Sequence, residues 1–160
     1  MTSTKGRSKR TLVRFQNEQK RFRLSEFHIL RLTRKILSLL KLKAELHLTF
    51  VSDSKIRRIN KRYHHVNRVT DVLAFGNPID WPSRKNTRRF LGEVVISIDR
   101  TIANAKQFQT GRDEELMRYV AHGILHLLGE RDSKPADRKR MFAKREKLIQ
   151  KIKPIRLLIH

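Results

Sequence analysis

The chain predicts an α+β fold, and three observations carry that reading. Four segments with strand patterning all finish by Ser97, while three long helix-patterned segments fill nearly everything after it. No internal repeat and no Pro/Gly/Ser-rich linker divides the 160 residues, a length that suits one domain. Hydrophobic residues make up 38% of the composition, enough for a core, and a chain of this size buries about two-thirds of its unfolded surface. The expected organisation is a basic tail over 1–10, a single domain over 11–153 and a C-terminal tail over 154–160.

Element by element, Thr11–Gln16 alternates Leu12 and Arg14 against Val13 and Phe15, a first strand. Ser25 is placed to cap a helix reaching about Leu40, with Phe27, Leu30, Ile36, Leu37 and Leu40 as its apolar stripe. Leu46, Leu48 and Phe50 alternate with His47 and Thr49 in a second strand. Asp53 or Ser54 opens a short, very basic helix to about Tyr63. Asp71–Phe75 is a compact apolar strand, 77–87 a surface loop around Pro78, Trp81 and Pro82, and Leu91–Ser97 a strand whose Val94-Val95-Ile96 run predicts burial on both faces. Asp99 caps a helix to about Gln109, ended by Thr110-Gly111. The next helix runs from about Asp113 to Leu128, with Leu116, Val120, Ile124, Leu127 and Leu128 towards its buried side, until Gly129 stops it. Pro135 suits the first turn of the last helix, Ala136 to about Ile152, and Pro154 closes it.

Composition narrows the chemistry. With 38 Lys and Arg against 15 Asp and Glu, the formal charge is +23, and such an excess draws a chain to polyanions, of which nucleic acid is the commonest inside cells. Residues 1–23 and 134–160 are both strongly basic, and neither offers the long apolar face of a membrane-surface helix. The absence of cysteine excludes a disulfide scaffold, thiolate zinc sites and thiol catalysis. No apolar run exceeds the four residues Val72 to Phe75, and no apolar segment of signal-peptide type follows the basic start. A cytoplasmic protein without a membrane span is expected.

The informative stretch is His122-Gly123-Ile124-Leu125-His126-Leu127-Leu128-Gly129-Glu130-Arg131-Asp132. Residues four apart on a helix project from one face, so His122 and His126 can reach one ion. Gly129 can take a left-handed conformation and turn the chain back, which lets Asp132 supply a third ligand. Three N/O ligands with an open fourth position describe a catalytic zinc site, one ion per chain. A chance HxxxH pair is expected at roughly one in three for this composition, but the added Gly and Asp offsets lower that to about one in a thousand. The spacing parallels the H-E-x-x-H-x-x-G-x-x-H of metzincin peptidases, so the helix is zincin-like. Those enzymes use the Glu after the first His as general base, whereas Gly123 occupies that place here, and peptidase becomes the less favoured reading.

The same block resembles the YbeY-type endoribonucleases, or rRNA maturation factors, whose pattern reads roughly H-G-x-L-H-L-x-G-x-x-H. The resemblance extends to Thr70-Asp71-Val72-Leu73-Ala74-Phe75, similar to T-D-V-L-S-F, and to Leu91–Ser97, similar to a G-D-I-x-I-S strand. It covers about residues 45–150. It implies a mixed sheet packed by helices, one Zn²⁺, single-strand-specific RNA hydrolysis in maturation of the 16S rRNA end, and a role in ribosome quality control. The implied partners are ribosomal RNA and the small ribosomal subunit, with a ribosomal protein or an assembly GTPase beside them. Two positions depart from the pattern. Asp132 stands where His is usual, and carboxylate oxygen is an ordinary zinc ligand, although its charge makes the ion a weaker Lewis acid. His64 stands where an Arg often follows the Tyr of L-N-x-x-Y-R, and imidazole does not replace a guanidinium clamp on phosphate. Arg57, Arg58, Arg62 and Arg68 are the candidate phosphate contacts, with 84–89 beside them, and Trp81, Phe90 or Tyr63 are candidates to stack an unpaired base. Asp71 and Glu93 lie in matching motifs and receive no role. A metal-stabilised RNA-binding assembly factor without strong catalysis is the alternative reading.

Overall fold

A computed structural model describes residues 11–76 and 89–159. Elements follow in the order β1 (Leu12–Asn17), β2 (Arg23–Leu24), α1 (Glu26–Leu39), β3 (Ala44–Val51), α2 (Asp53–His64), β4 (Val72–Gly76), β5 (Arg89–Ser97), α3 (Ile98–Phe108), α4 (Arg112–Leu127), α5 (Pro135–Gln150) and β6 (Leu158–Ile159). Four strands form one mixed sheet in the order β1-β3-β5-β4, in which β1, β3 and β5 run parallel and β4 lies antiparallel at the edge. The α+β class, with five helices around a mixed sheet among the described residues, is therefore as the sequence predicts.

Strand alternation gives the sheet two different faces. Val13, Leu46, Leu48, Phe50, Val94 and Ile96 point to the side covered by α1, α4 and α5 and form the main core with Ile29, Leu32, Leu116, Val120 and Ile124. Val51, Leu73 and Val95 point the other way and meet Ile56 and Ile59 of α2 in a smaller cluster. Burial of Val94-Val95-Ile96 on both faces follows directly from this double cover.

Several expectations are corrected in detail. The buried face of α1 is Ile29, Leu32, Thr33, Ile36 and Leu37, while Phe27 is 69% exposed. Apolar residues surround this helix, so periodicity admits two phases, and the sheet selects the one beginning at Ile29. The N-caps of α2 and α3 are Ser52 and Ser97, whose Oγ atoms accept the amides of Lys55 and Arg100 at 3.3 and 3.2 Å. Asp99 instead accepts the Asp53 amide at 2.9 Å, and Asp53 accepts from the Ser97 hydroxyl and the Arg100 guanidinium, so each helix start is tied to the other. Gln109, in a left-handed conformation, ends α3, and Gly111 caps the start of α4. The segment read as a C-terminal tail carries β6, which pairs antiparallel with β2, a pair too short to show periodicity. Asp113 Oδ1 accepts the amides of Leu157 and Leu158 at 2.8 and 2.9 Å, and Leu157 is fully buried. No helix among the described residues is long and apolar enough to cross a membrane.

Candidate functional site

Helix α4 positions the site because it is pressed unusually close to the sheet. A Cβ on Gly123 would stand 2.3 Å from Val94 Cγ1 and 2.9 Å from Cγ2, distances no packed side chain adopts. Gly123 is thus the contact that lets the helix seat, and its side faces the sheet and not solvent. Asp113, Glu114 and Glu115 in the first turn complement the helix dipole. At the other end Gly129 takes φ +93°, and the Glu130 amide donates back to the Leu125 carbonyl at 3.1 Å. That reversal brings Asp132 back to the face that bears His122 and His126.

The three residues singled out in the sequence come together. His122 Nε2 and His126 Nε2 are 3.0 Å apart, and Asp132 Oδ2 lies 3.5 and 3.3 Å from them. All three donor atoms fall within 4.8 Å of one another, the only such group among the described residues. His126 Nδ1 meets the Glu130 carbonyl at 3.1 Å, and since a carbonyl only accepts, that nitrogen carries the proton and Nε2 presents its lone pair inward. Burial pushes the His122 pKa down from 6.5, helped by His126 and Arg145 and opposed by Asp132 and Asp71, so its ring is neutral at pH 7. Two imidazole lone pairs and a carboxylate oxygen converging on one point repel one another unless a cation lies among them. The donor set is thus suited to a divalent metal, and Asp132, 43% exposed, leaves one side open to a substrate.

Among the described residues, the nearby carboxylates Glu130, Glu93 and Asp71 are otherwise engaged. Gly123 points into Val94, and Glu130 pairs with Lys144 of α5. Glu93 faces the opposite side of the sheet, where it accepts the Thr49 hydroxyl at 2.7 Å. Asp71 accepts the Val72 amide at 2.8 Å, a strand-start contact, yet its charge reaches His122.

The candidate phosphate contacts divide. Arg57, Arg58, Arg62 and Arg68 are all exposed, but only Arg58 and Arg62, with Lys55, line a cavity of about 650 Å³ over the α2 face of the sheet. Arg57 Nε instead donates to Asn67 Oδ1 at 2.9 Å, and Arg68 lies outside the cavity lining. The cavity adjoins the metal-donor side across the end of β4. Phe75 lines it, while Gly76 lies against Leu127, the residue after His126. The His64 ring stacks on Phe75 with centroids 5.5 Å apart, and Arg62 lies over the neighbouring Tyr63 ring. Phe90 packs edge-on against His47, and Tyr63 edge-on against Phe75. Trp81 and the 84–88 part of the basic segment lie outside the described residues.

Sequence reasoning missed the charged group beside the metal donors. Arg118 bonds Glu114, Glu115 and Glu146 at 2.6–2.9 Å, and Arg145 shares Glu146. Burial opposes the charge on Arg118, but bonds to Glu146 and Glu115 outweigh it and push its pKa up. The signal was present in the spacing of Glu115, Arg118 and His122 along one face of α4.

Comparison with known proteins agrees with this geometry. The family model described as Endoribonuclease YbeY matches residues 14–153. An Endoribonuclease YbeY of Myxococcus xanthus is 43% identical over 105 residues, which are 66% of this chain and 35% of that protein. Its counterpart in Anaeromyxobacter sp. is 40% identical, covering 66% of this chain and 53% of that protein. One in Treponema denticola is 34% identical over 110 residues, 68% of this chain and 71% of that protein. The chain thus spans a third to a half of the length of the first two relatives. A solution structure from Thermotoga maritima superposes with a TM-score of 0.60 at 26% identity, covering 87% of each chain. By the match over residues 14–153, the chain belongs to the Endoribonuclease YbeY family.

Proposed function

We propose that this protein is a metal-dependent endoribonuclease that hydrolyses single-stranded RNA in maturation of the 16S rRNA end and in ribosome quality control. The observation that carries the reading is the convergence of His122, His126 and Asp132 on one point at the open end of α4. Zinc suits this N/O donor set, and His122 Nε2, His126 Nε2 and Asp132 Oδ2 are the atoms that would hold it. When bound, the ion supplies Lewis acidity towards a phosphodiester oxygen and an acidified water.

The chain's own residues do the rest. The Glu130 carbonyl fixes the tautomer of His126, and the Gly129 turn delivers Asp132. Arg58, Arg62 and Lys55 draw the phosphates flanking the cut, and the formal charge of +23 steers the polyanion to the protein. The work lies in the cytoplasm, on ribosomal RNA and the small subunit, with a ribosomal protein or an assembly GTPase as partner.

Purified protein incubated with rRNA fragments tests this. Cuts that need metal, stop with chelator and vanish in His126→Ala support it; intact RNA under all conditions overturns it. One observation favours a second reading, an RNA-binding assembly factor with a structural metal: His64, stacked on Phe75, stands where a phosphate-gripping Arg is expected. Equal RNA affinity for wild type and His126→Ala, with no cleavage by either, would leave that reading alone. A peptidase is disfavoured, since the base position is Gly123 against Val94.

A further inference from the structure

Helix α4 carries more on its open face than metal donors. One turn before His122, Arg118, Tyr119 and Glu115 form the floor of a separate cavity of about 480 Å³, closed by α3, α5 and Asp71. A step of four residues is about 6 Å along the helix axis, so this cavity and the metal donors are consecutive stations on one face. Two large aromatic side chains stand at its mouth without burial: Phe108, at the end of α3, is 59% exposed, and Phe142, on α5, is 57% exposed. Arg145 lies 4.9 Å over the Phe142 ring and braces it. Neither exposed phenyl ring belongs to the hydrophobic core, and both flank a cavity that charged side chains also line.

The local charge says what the cavity admits. Asp71, Glu115 and Glu146 oppose Arg118 and Arg145, so three carboxylates meet two guanidiniums and the lining is net negative by one. That is the reverse of the chain as a whole, at +23. Arg118 is already bonded to three carboxylates, so its charge is neutralised where it stands. Burial holds the Tyr119 phenol up to about 12, so it stays neutral, and it accepts the Asn104 amide at 2.6 Å. A phosphate is repelled here. A flat, uncharged group with N–H donors on its edge is not: the phenyl rings take its face, and the second carboxylate oxygens of Asp71 and Glu146 take its edge. The volume lies within the range of small-molecule pockets, ample for one base and too narrow for a duplex.

We propose that the cavity between Phe108, Tyr119 and Phe142 holds one unpaired nucleobase of the RNA next to the scissile phosphate, preferring bases with an exocyclic amine over uracil. The inference rests on the endoribonuclease reading and names how that site would choose its substrate. It also explains a preference for single strands, because a paired base cannot leave its stack to enter.

The test is a single-stranded oligouridylate carrying one 2-aminopurine, moved through the sequence one position at a time. Bound to wild type, one position near the cut shows altered emission, and an abasic residue at that position weakens binding about ten-fold. In Phe108→Ala/Phe142→Ala the altered emission disappears and the abasic residue no longer matters, while the salt dependence of binding, which counts phosphates, is unchanged. Both rings are exposed, so their removal leaves no cavity in the core, and an unchanged thermal midpoint verifies that the double variant folds. RNA that is cut as before with no base-specific position, or emission that persists in the double variant, overturns the base pocket alone. Wild type that neither binds nor cuts the oligonucleotide overturns the endoribonuclease reading and the pocket with it.

Discussion

Replacing Gly123 by Ala tests the seating of α4 that places both histidines. Two effects oppose each other. Ala is favoured over Gly inside a helix by about 1 kcal/mol. Against that, the new methyl would come within 2.3 Å of a fully buried Val94 on the central part of the sheet, where neither partner has a flexible end to yield. Overpacking of this kind costs about 1–3 kcal/mol, and the overlap here places it at the upper end, so Gly123→Ala loses about 1–2 kcal/mol net. Val94→Ala removes the two γ-methyl groups that collide and by itself costs about 1.6 kcal/mol plus a cavity term. In the double variant each change relieves the other, because the methyl introduced on α4 occupies space the Val94 methyls vacate. The four proteins, unfolded in urea and compared at equal metal content, should show a favourable coupling of at least about 1 kcal/mol. Additive losses, or a stabilised Gly123→Ala, would refute the close contact and with it the stated reason that no general base occupies this position.

Further consequences concern charge and the metal donors. RNA affinity should fall steeply between about 50 and 200 mM salt, with a slope reduced by about one for each of Arg58→Ala and Arg62→Ala, whereas a flat response would make the +23 a solubilising surface. The depressed pKa of His122 means that the unfolded chain takes up a proton near pH 6.5 that the folded chain refuses, so metal-free protein loses stability as pH falls below 6.5. Thermal midpoints of His122→Gln should decline less steeply in that window, and parallel curves would contradict the assignment. Asp132→His exchanges an anionic ligand for a neutral one, which should keep the metal and speed RNA cleavage; loss of the metal would show that the turn accepts only the shorter side chain.

The legible part of this protein was whatever rests on local spacing. His122, His126, Gly129 and Asp132 announce the metal site because helix periodicity and one left-handed turn fix their relation within eleven residues. Alternation likewise marks β1 and β3, and short continuous apolar runs mark β4 and β5. The parts that were not legible depend on partners distant in sequence. Choosing between phases of α1 needs the sheet beneath it, so Phe27 was misplaced on the buried face. Asp99 looks like a cap and instead serves the neighbouring helix start 46 residues away. The β2–β6 pair joins the two ends of the chain through four residues, too few for any pattern. In the sequence Gly123 shows only that a base is absent, and its contact with Val94 explains why glycine is there.

Elemental analysis of the purified protein, beside His122→Ala, His126→Ala and Asp132→Ala, tests the central claim most directly. The account predicts about one zinc per wild-type chain and little or none in each variant. Wild-type protein that folds, resists metal loading and matches the three variants in stability would contradict it.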